Sequence, residues 1–119
     1  MRYHSNHRDR LHEAMLGAAG PLCAAELKEL LGDIGIATVY RLLNEGVANG
    51  KFLEVELPGA TKRFEVAGKP HHHHFECQTC HRVYDIPGCP GRLERFVPEG
   101  FELEHHELIL SGRCADCTN

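Results

Sequence analysis

The chain has 119 residues, of which 42% are hydrophobic and 25% charged, and its net charge is −4 with the histidines neutral. This composition is typical of one globular domain or two small ones and excludes a disordered chain. No apolar run approaches the roughly 18 residues of a membrane-spanning helix, and the polar first residues do not resemble a signal peptide. We therefore expect a soluble, cytoplasmic protein. The acidic balance is unusual for a nucleic-acid-binding protein, although bound divalent cations would offset much of it.

Three segments in the first half of the chain have apolar residues at the spacing of an amphipathic helix. They are Arg8–Ala19, Ala24–Leu31 and Ile36–Ala48. Each segment is followed by residues that commonly end helices, namely Gly20-Pro21, Gly32 and Asn49-Gly50. The first half of the chain is therefore predicted to begin with three helices.

The apolar period then changes to that of β-strands. Lys51–Leu57 and Thr61–Val66 have strand-like sequences, and Pro58-Gly59 between them is typical of a hairpin turn. Three helices followed by a hairpin predict a winged helix-turn-helix, whose third helix would enter the major groove of DNA.

The second half of the chain is separated from the first by a predicted linker at Ala67–Pro70. Beyond it lie strand-like segments and one short helical segment: His72–Cys77, Arg82–Ile86, Gly91–Val97 (the helical one) and Phe101–Ser111. We expect an α+β chain, with a winged-helix domain in residues 1–67 and a small α/β domain with a sheet in residues 68–119.

Four of the six cysteines form two CxxC pairs, Cys77/Cys80 and Cys114/Cys117. Each pair lets two thiolates reach one ion, and two such pairs together form a closed, tetrahedral zinc site that is structural rather than catalytic. The second pair follows the last predicted strand. We therefore expect zinc to hold the C-terminal residues against the sheet and to contribute its binding energy to folding.

Redox-active or simply buried thiols are the alternative explanations of these cysteines. A redox CxxC usually begins a helix in a thioredoxin-like fold, whereas each pair here flanks a predicted strand. Cys23 and Cys89 lie outside the two pairs. We expect both to be packed, and ligation of a metal by Cys89 is the alternative.

Four consecutive histidines, His71–His74, lead directly into the first CxxC pair. In an extended strand, His72 and His74 face one way while His71 and His73 face the other, so one strand could supply ligands to two metal sites. An affinity tag or a solvated polar strand would also explain the run. Candidate partners elsewhere in the chain, each of which taken singly is typical of a surface charge, are Glu65, Asp85, Glu94, His105 and His106.

Three motifs, in this order, resemble those of the ferric uptake regulator family of metal-responsive transcriptional repressors. They are Ala37–Arg41 (ATVYR) in the third helix, the four histidines before a CxxC pair, and Gly112–Cys114 leading into the second pair. The resemblance covers nearly the whole chain. It implies a homodimer, with residues 68–119 as the dimerisation domain, in which metal bound between the two halves sets the spacing of two winged helices on a double-stranded operator. The family includes sensors of iron, zinc, manganese and peroxide.

The resemblance also implies roles for individual residues. The structural zinc would be held by Cys77, Cys80, Cys114 and Cys117. The sensor site between the halves, for a second divalent metal that is zinc, iron or manganese, would consist of Glu65, His72, His74 and Asp85. A possible additional site would consist of His71, His73, Glu94 and His106. The recognition helix would contact DNA through Thr38, Tyr40 and Arg41. A basic segment that often precedes the first helix in this family contacts the minor groove, and the candidates for that role here are Arg2, Arg8 and Arg10.

Two stretches differ from the family pattern. Many members have a sensor-site histidine before the second helix, where this chain has Gly20-Pro21-Leu22. Zinc-sensing members often have a cysteine shortly before the histidine run, where this chain has Val66 and Ala67. The first difference weakens an iron or peroxide assignment, and the second weakens a zinc assignment.

The sequence therefore predicts a metal-dependent repressor of metal-homeostasis or oxidative-stress genes, with no enzymatic activity and no membrane contact. A zinc-dependent hydrolase that uses the histidine cluster is one alternative, in which Glu65 or Asp85 would be the general base. The sequence contains no HExxH-type helix, which argues against the hydrolase. A metal-storage protein is the other alternative, and it leaves Tyr40 and Arg41 in the third helix unexplained.

Overall fold

The computed structural model describes residues 6–57 and 61–118. Its N-terminal half contains three helices and a two-stranded antiparallel sheet, in chain order α1 (His7–Leu16), α2 (Ala24–Leu31), α3 (Ile36–Ala48), β1 (Phe52–Val55) and β2 (Arg63–Val66). This is the winged helix-turn-helix that the sequence predicts, and α2 and α3 have the predicted bounds. The predicted turn at Pro58-Gly59 and the candidate Arg2 lie outside the described residues.

Helix α1 ends earlier than predicted. The N–H group of Gly17 donates to the carbonyl of Glu13 and caps the helix there, so Ala18 and Ala19 belong to the loop that leads to α2. At the other end, the side chain of Asn6 accepts a hydrogen bond of 2.8 Å from the backbone of Asp9, which satisfies an N–H group of the first turn. Among the described residues, no helix combines the length and the apolar character needed to cross a membrane.

The hydrophobic core of this half joins the three helices to the two strands. Its buried members come from every element: Leu11, Met15, Ala24, Leu27, Leu31, Ile34, Val39, Leu42, Leu43, Phe52 and Phe64. The ring of Phe52 lies directly on α3 at Gly46, where a Cβ would come within 2.0 Å of a ring carbon. A glycine inside a helix costs roughly 1 kcal/mol relative to alanine, and here it gives the room that packs β1 against α3.

The C-terminal half is built on a three-stranded sheet with the order β4-β3-β5. Strand β3 (His72–Cys77) pairs antiparallel with β4 (Val83–Pro87) and parallel with β5 (Ile109–Gly112). The predicted bounds of β3 are confirmed, and the predicted helix at 91–97 is a short 3-10 turn, Leu93–Phe96. The predicted last strand is wrong over most of its length, because only its final residues reach the edge of β3.

Direct contacts join the two halves beside β4. The loop between α1 and α2 runs along this strand, and the carbonyl of Ala19 accepts a hydrogen bond of 2.8 Å from the N–H group of Asp85. The buried guanidinium of Arg63 donates to the carbonyl of His81 at 2.7 Å and forms an ion pair with Glu26. A Cβ on Gly20 would come within 2.2 Å of the carbonyl oxygen of Val83. This glycine is therefore required by the close approach of two backbones.

We expect Gly20→Ala to lower the free energy of unfolding by about 1–3 kcal/mol, because the added methyl group meets backbone atoms that cannot rotate away. The measurement is urea unfolding of the zinc-loaded protein. Gly17→Ala is the matched control, because a Cβ there meets only the carbonyl of Glu13, at 3.6 Å. Equal stability of the Gly20→Ala and Gly17→Ala variants would contradict the described contact between the loop and β4.

Candidate metal centres and recognition helix

Strand β3 distributes its ligands among three clusters of metal-binding side chains. Among the described residues, three groups have ligand atoms within 4.8 Å of one another. They are Cys77, Cys80, Cys114 and Cys117; Glu65, His72, His74 and Asp85; and His71, His73, Cys89 and His106. The predicted alternation of the histidines is confirmed, because His72 and His74 share one cluster while His71 and His73 share another.

The four-cysteine cluster follows from the parallel pairing of β3 with β5. Cys77 ends β3 opposite Gly112, which ends β5, so Cys114 emerges beside it. The sulfur atoms of Cys80 and Cys114 lie 3.8 Å apart. Four thiols from two CxxC pairs form the donor set of a closed structural zinc site, as predicted.

The ionisation of these thiols also fits a cation. Backbone N–H groups of Cys80 and Cys114 point at the sulfur of Cys77 and lower the pKa of that thiol to about 5. Hydrogen bonding to Cys114 keeps the proton on Cys117 and raises the pKa of that thiol to about 12. Four thiolates this close repel one another unless a divalent ion lies among them. Zinc binding must therefore release protons from this cluster.

The second cluster, which we call the hinge cluster, takes residues from both halves of the molecule. Glu65 lies on β2 of the winged helix, His72 and His74 lie on β3, and Asp85 lies opposite His74 on β4. Nε2 of His72 is 3.1 Å from Oε1 of Glu65 and 3.5 Å from Oδ1 of Asp85. Nε2 of His74 is 3.6 Å from the same Asp85 oxygen. The structure thus brings together all four residues of the predicted sensor set.

Hydrogen bonding around the hinge cluster orients His72 for a metal. Nδ1 lies 2.8 Å from the carbonyl of Pro70 and Nε2 lies 3.1 Å from Oε1 of Glu65, and both partners can only accept, so these contacts favour the protonated ring. A metal that displaces the Nε2 proton would leave the bond from Nδ1–H to Pro70 in place. Nε2 of His74 and Oδ1 of Asp85 are buried without a hydrogen-bond partner. Buried polar atoms of this kind call for a partner, and a divalent cation among these donors would supply one.

The ionisation of Glu65 and His72 also fits a cation in the hinge cluster. Burial opposes ionisation of Glu65, but the nearby imidazoles of His74 and His72 and the charge of Lys69 outweigh it and lower the pKa of this carboxyl group. Burial likewise opposes protonation of His72, but the Pro70 carbonyl and the charge of Glu65 raise its pKa above 6.5. A proton and a metal therefore compete for Nε2 of His72. Metal affinity should weaken as the pH falls through this raised pKa.

An acidic cavity of about 490 Å³ lies beside the hinge cluster. Glu65 and His74 form part of its wall, and three further carboxylates line it: Glu54, Glu56 and Glu107. A cleft lined by negative charge concentrates cations. This side of the hinge cluster is therefore suited to the entry of a divalent metal.

The third cluster differs from its prediction in one ligand. Cys89 takes the place expected for Glu94, which lies exposed on the 3-10 turn outside the cluster. The sulfur of Cys89 is 3.0 Å from Nε2 of His106, and Nε2 of His71 is 3.3 Å from the same atom. The expectation that Cys89 is packed was wrong, because this thiol is exposed, whereas Cys23 is buried as predicted. The other candidate, His105, is exposed and belongs to none of the three clusters.

His73 is held differently from the other members of the third cluster. Its side chain is 3% exposed, burial lowers its pKa, and Nδ1 accepts a hydrogen bond of 3.0 Å from the N–H group of Leu108. The neutral ring therefore carries its proton on Nε2. Ligation through either nitrogen would cost this hydrogen bond, because Nε2 binds a metal only when the proton is on Nδ1. His71, Cys89 and His106 can ligate a metal without this cost, whereas Nε2 of His73 is buried without a hydrogen-bond partner.

Helix α3 presents its predicted DNA-contacting residues at the surface. Tyr40 is 49% exposed, Arg41 is exposed and Thr38 is partly buried, while Val39 packs in the core. Arg8 on α1 forms an ion pair of 3.0 Å with Glu45 of α3, and Arg41 pairs with the same carboxylate at 3.1 Å. Glu45 therefore gathers two arginines beside the exposed face of the helix, in a position suited to phosphate contacts.

Comparison with known sequences agrees with these motifs. The profile of the ferric uptake regulator family matches residues 23–111. The ferric uptake regulation protein of Campylobacter jejuni is 35% identical over 99 residues, which make up 79% of this chain and 63% of that protein. The corresponding protein of Haemophilus influenzae is 32% identical over 87 residues, or 71% of this chain and 60% of that protein. The chain thus spans less than two thirds of the length of these relatives.

Comparison with solved structures gives the same fold. The ferric uptake regulator of Vibrio cholerae is 30% identical, with a TM-score of 0.68 over 90% of this chain and 88% of that one. A zinc-bound manganese uptake regulator has a TM-score of 0.80 over 96% of this chain and 91% of that one, and at 24% identity this likeness concerns the fold alone.

We expect Cys89 to be the first cysteine that reacts with a maleimide in protein that holds only its structural zinc. Cys89 is exposed, Cys23 is buried, and the other four thiols would be zinc ligands. Peptide mapping by mass spectrometry after brief labelling identifies the modified position. Rapid labelling of Cys23, or a fast-reacting thiol that survives in the Cys89→Ser variant, would contradict the described exposure.

Proposed function

Because this chain belongs to the ferric uptake regulator family, we propose that it is a metal-dependent transcriptional repressor that binds operator DNA as a homodimer. The family consists of metal-responsive DNA-binding regulators. The target genes of this repressor would serve metal homeostasis or the response to oxidative stress. The four-cysteine cluster would hold a structural zinc, and the hinge cluster would bind a second divalent metal: zinc, iron or manganese.

The observation that carries this proposal is the origin of the hinge ligands. Glu65 belongs to the wing of the DNA-binding half, whereas His72, His74 and Asp85 belong to the sheet of the other half. A metal held by all four would tie the wing to the sheet and fix the angle between the halves. Metal binding shifts the population toward one arrangement of the halves if that arrangement binds the metal more tightly than the others do.

Dimerisation would turn this angle into control of DNA binding. Two recognition helices read two half-sites, and the spacing of those half-sites tolerates little error. Large apolar side chains exposed on the C-terminal half offer a surface for the partner subunit: Phe96, Phe101, Leu103, Ile109 and Leu110. Strand β5 is also an edge of the sheet, where a second strand could pair. These features support a dimer formed by the C-terminal halves.

The chain's own residues have separate parts in the proposed switch. Pro70 orients His72 through its carbonyl, while the buried Glu65 and the partly buried His74 present their ligand atoms at the wall of the acidic cavity. When bound, the metal supplies the attraction that holds the two carboxylates and two imidazoles together. Tyr40, Arg41 and Arg8 would contact the duplex. The four-cysteine cluster, with its zinc, would keep the sheet folded whether or not the hinge metal is present.

We expect His74→Ala to fold and dimerise normally but to lose metal-dependent DNA binding, because Nε2 of this ring is one of the four hinge donors. The measurement is a gel-shift titration with selected operator DNA, with metal added to protein that holds only its structural zinc. His105→Ala is the matched control, because His105 is exposed and lies outside the three clusters. Full metal-dependent binding by His74→Ala would exclude the hinge cluster as the sensor and leave the third cluster as the better candidate.

A further inference from the structure

We propose that Lys69 is a positioning residue that restricts Asp85 to a single ligand oxygen and thereby makes the hinge cluster a four-coordinate site that prefers zinc to manganese. This inference rests on the proposed function of the hinge cluster. It assigns to the linker between the halves a second task, which is the choice of metal.

The two oxygens of Asp85 have different surroundings. Oδ2 lies 2.7 Å from Nζ of Lys69 in a partly buried ion pair. Oδ1 faces Nε2 of His72 and of His74, at 3.5 and 3.6 Å, and has no hydrogen-bond partner. The carboxylate is thus oriented with one oxygen toward the donors and the other toward an ammonium group. A hydrogen-bonded partner of this kind fixes the orientation of a metal ligand.

The backbone of the linker gives Lys69 this position. Gly68 has a φ of +88°, which a glycine adopts at little cost, and the turn there directs the next residues back across the hinge cluster. Lys69 is followed by Pro70, whose carbonyl fixes the ring of His72. Two consecutive linker residues therefore orient two ligands. The side chain of Lys69 is 27% exposed, so its ammonium group is partly desolvated beside two carboxylates.

The orientation of Asp85 has consequences for the coordination number. Two imidazoles, one Asp85 oxygen and one Glu65 oxygen give four donors, which suits the tetrahedral preference of zinc. Manganese favours six donors, mainly oxygen, and would gain from a second oxygen of Asp85. The ammonium group of Lys69 already pairs with that second oxygen, Oδ2 of Asp85. Its positive charge, 3.8 Å from Oε1 of Glu65, also lowers the negative charge available to an ion that relies on oxygen ligands.

Cobalt(II) is a suitable probe, because its visible absorption is strong in four-coordinate sites and weak in six-coordinate ones. The hinge signal is the difference between the chain and its His74→Ala variant, each holding its structural zinc. We expect strong absorption from the unaltered chain. Lys69→Met should bind cobalt with weaker absorption per bound ion, and its preference for zinc over manganese in competition should fall by roughly tenfold or more, as is typical when a ligand's outer partner is removed.

Two further variants test whether the ammonium group itself is responsible. Lys69→Arg keeps a cation beside Asp85 and should restore the strong absorption. Lys28→Met is the matched control and should resemble the unaltered chain, because the ammonium group of Lys28 donates to the carbonyl of Gly32 at the end of α2 and is in none of the three clusters. An unchanged spectrum and an unchanged metal preference in Lys69→Met would overturn the role of Lys69 while leaving the hinge site intact. A cobalt signal that His74→Ala does not alter would overturn the hinge site and this inference together.

Discussion

The alternation of side chains along β3 places members of all three clusters on one six-residue strand. Because of its two-residue period, His72 and His74 face the winged helix and His73 faces the opposite way. Cys77 ends the strand in the four-cysteine cluster. A shift of one residue in register would exchange the two faces and separate the histidines from Glu65 and Asp85. Pairing with β4 and β5 fixes that register, so the hinge cluster depends on the sheet around it.

This dependence separates a structural task from a regulatory one. Zinc in the four-cysteine cluster would clip the end of β5 to the end of β3 and so maintain the parallel pairing. The hinge cluster then needs only a wing residue, Glu65, to arrive from the other half. Contacts beside β4 bring the halves together before any metal is considered, because Gly20 lies against Val83 and Arg63 reaches His81. The hinge metal would thus tighten an arrangement that direct packing already favours.

The sequence was informative wherever local periodicity decides the structure. The bounds of α2, α3 and β3 follow from apolar spacing and from residues that end elements, and the alternation of the histidines follows from strand geometry alone. Residues 88–108 contain little regular structure, so spacing along the chain does not predict that the side chain beside His106 is Cys89 and that Glu94 lies outside the cluster. The sequence identifies Lys69 and Gly20 only as a linker residue and a loop residue. Their roles depend on contacts between the two halves, and such contacts leave no periodic pattern in the sequence.

A metal in the hinge cluster should fix the winged helix relative to the sheet. Residual dipolar couplings of backbone N–H groups measure this directly, because two parts that move together share one alignment tensor. With the structural zinc present and the hinge metal added, the couplings of both halves should fit a single tensor. Without the hinge metal they should need two, and His74→Ala should need two under both conditions. Couplings that the hinge metal leaves unchanged would contradict the account.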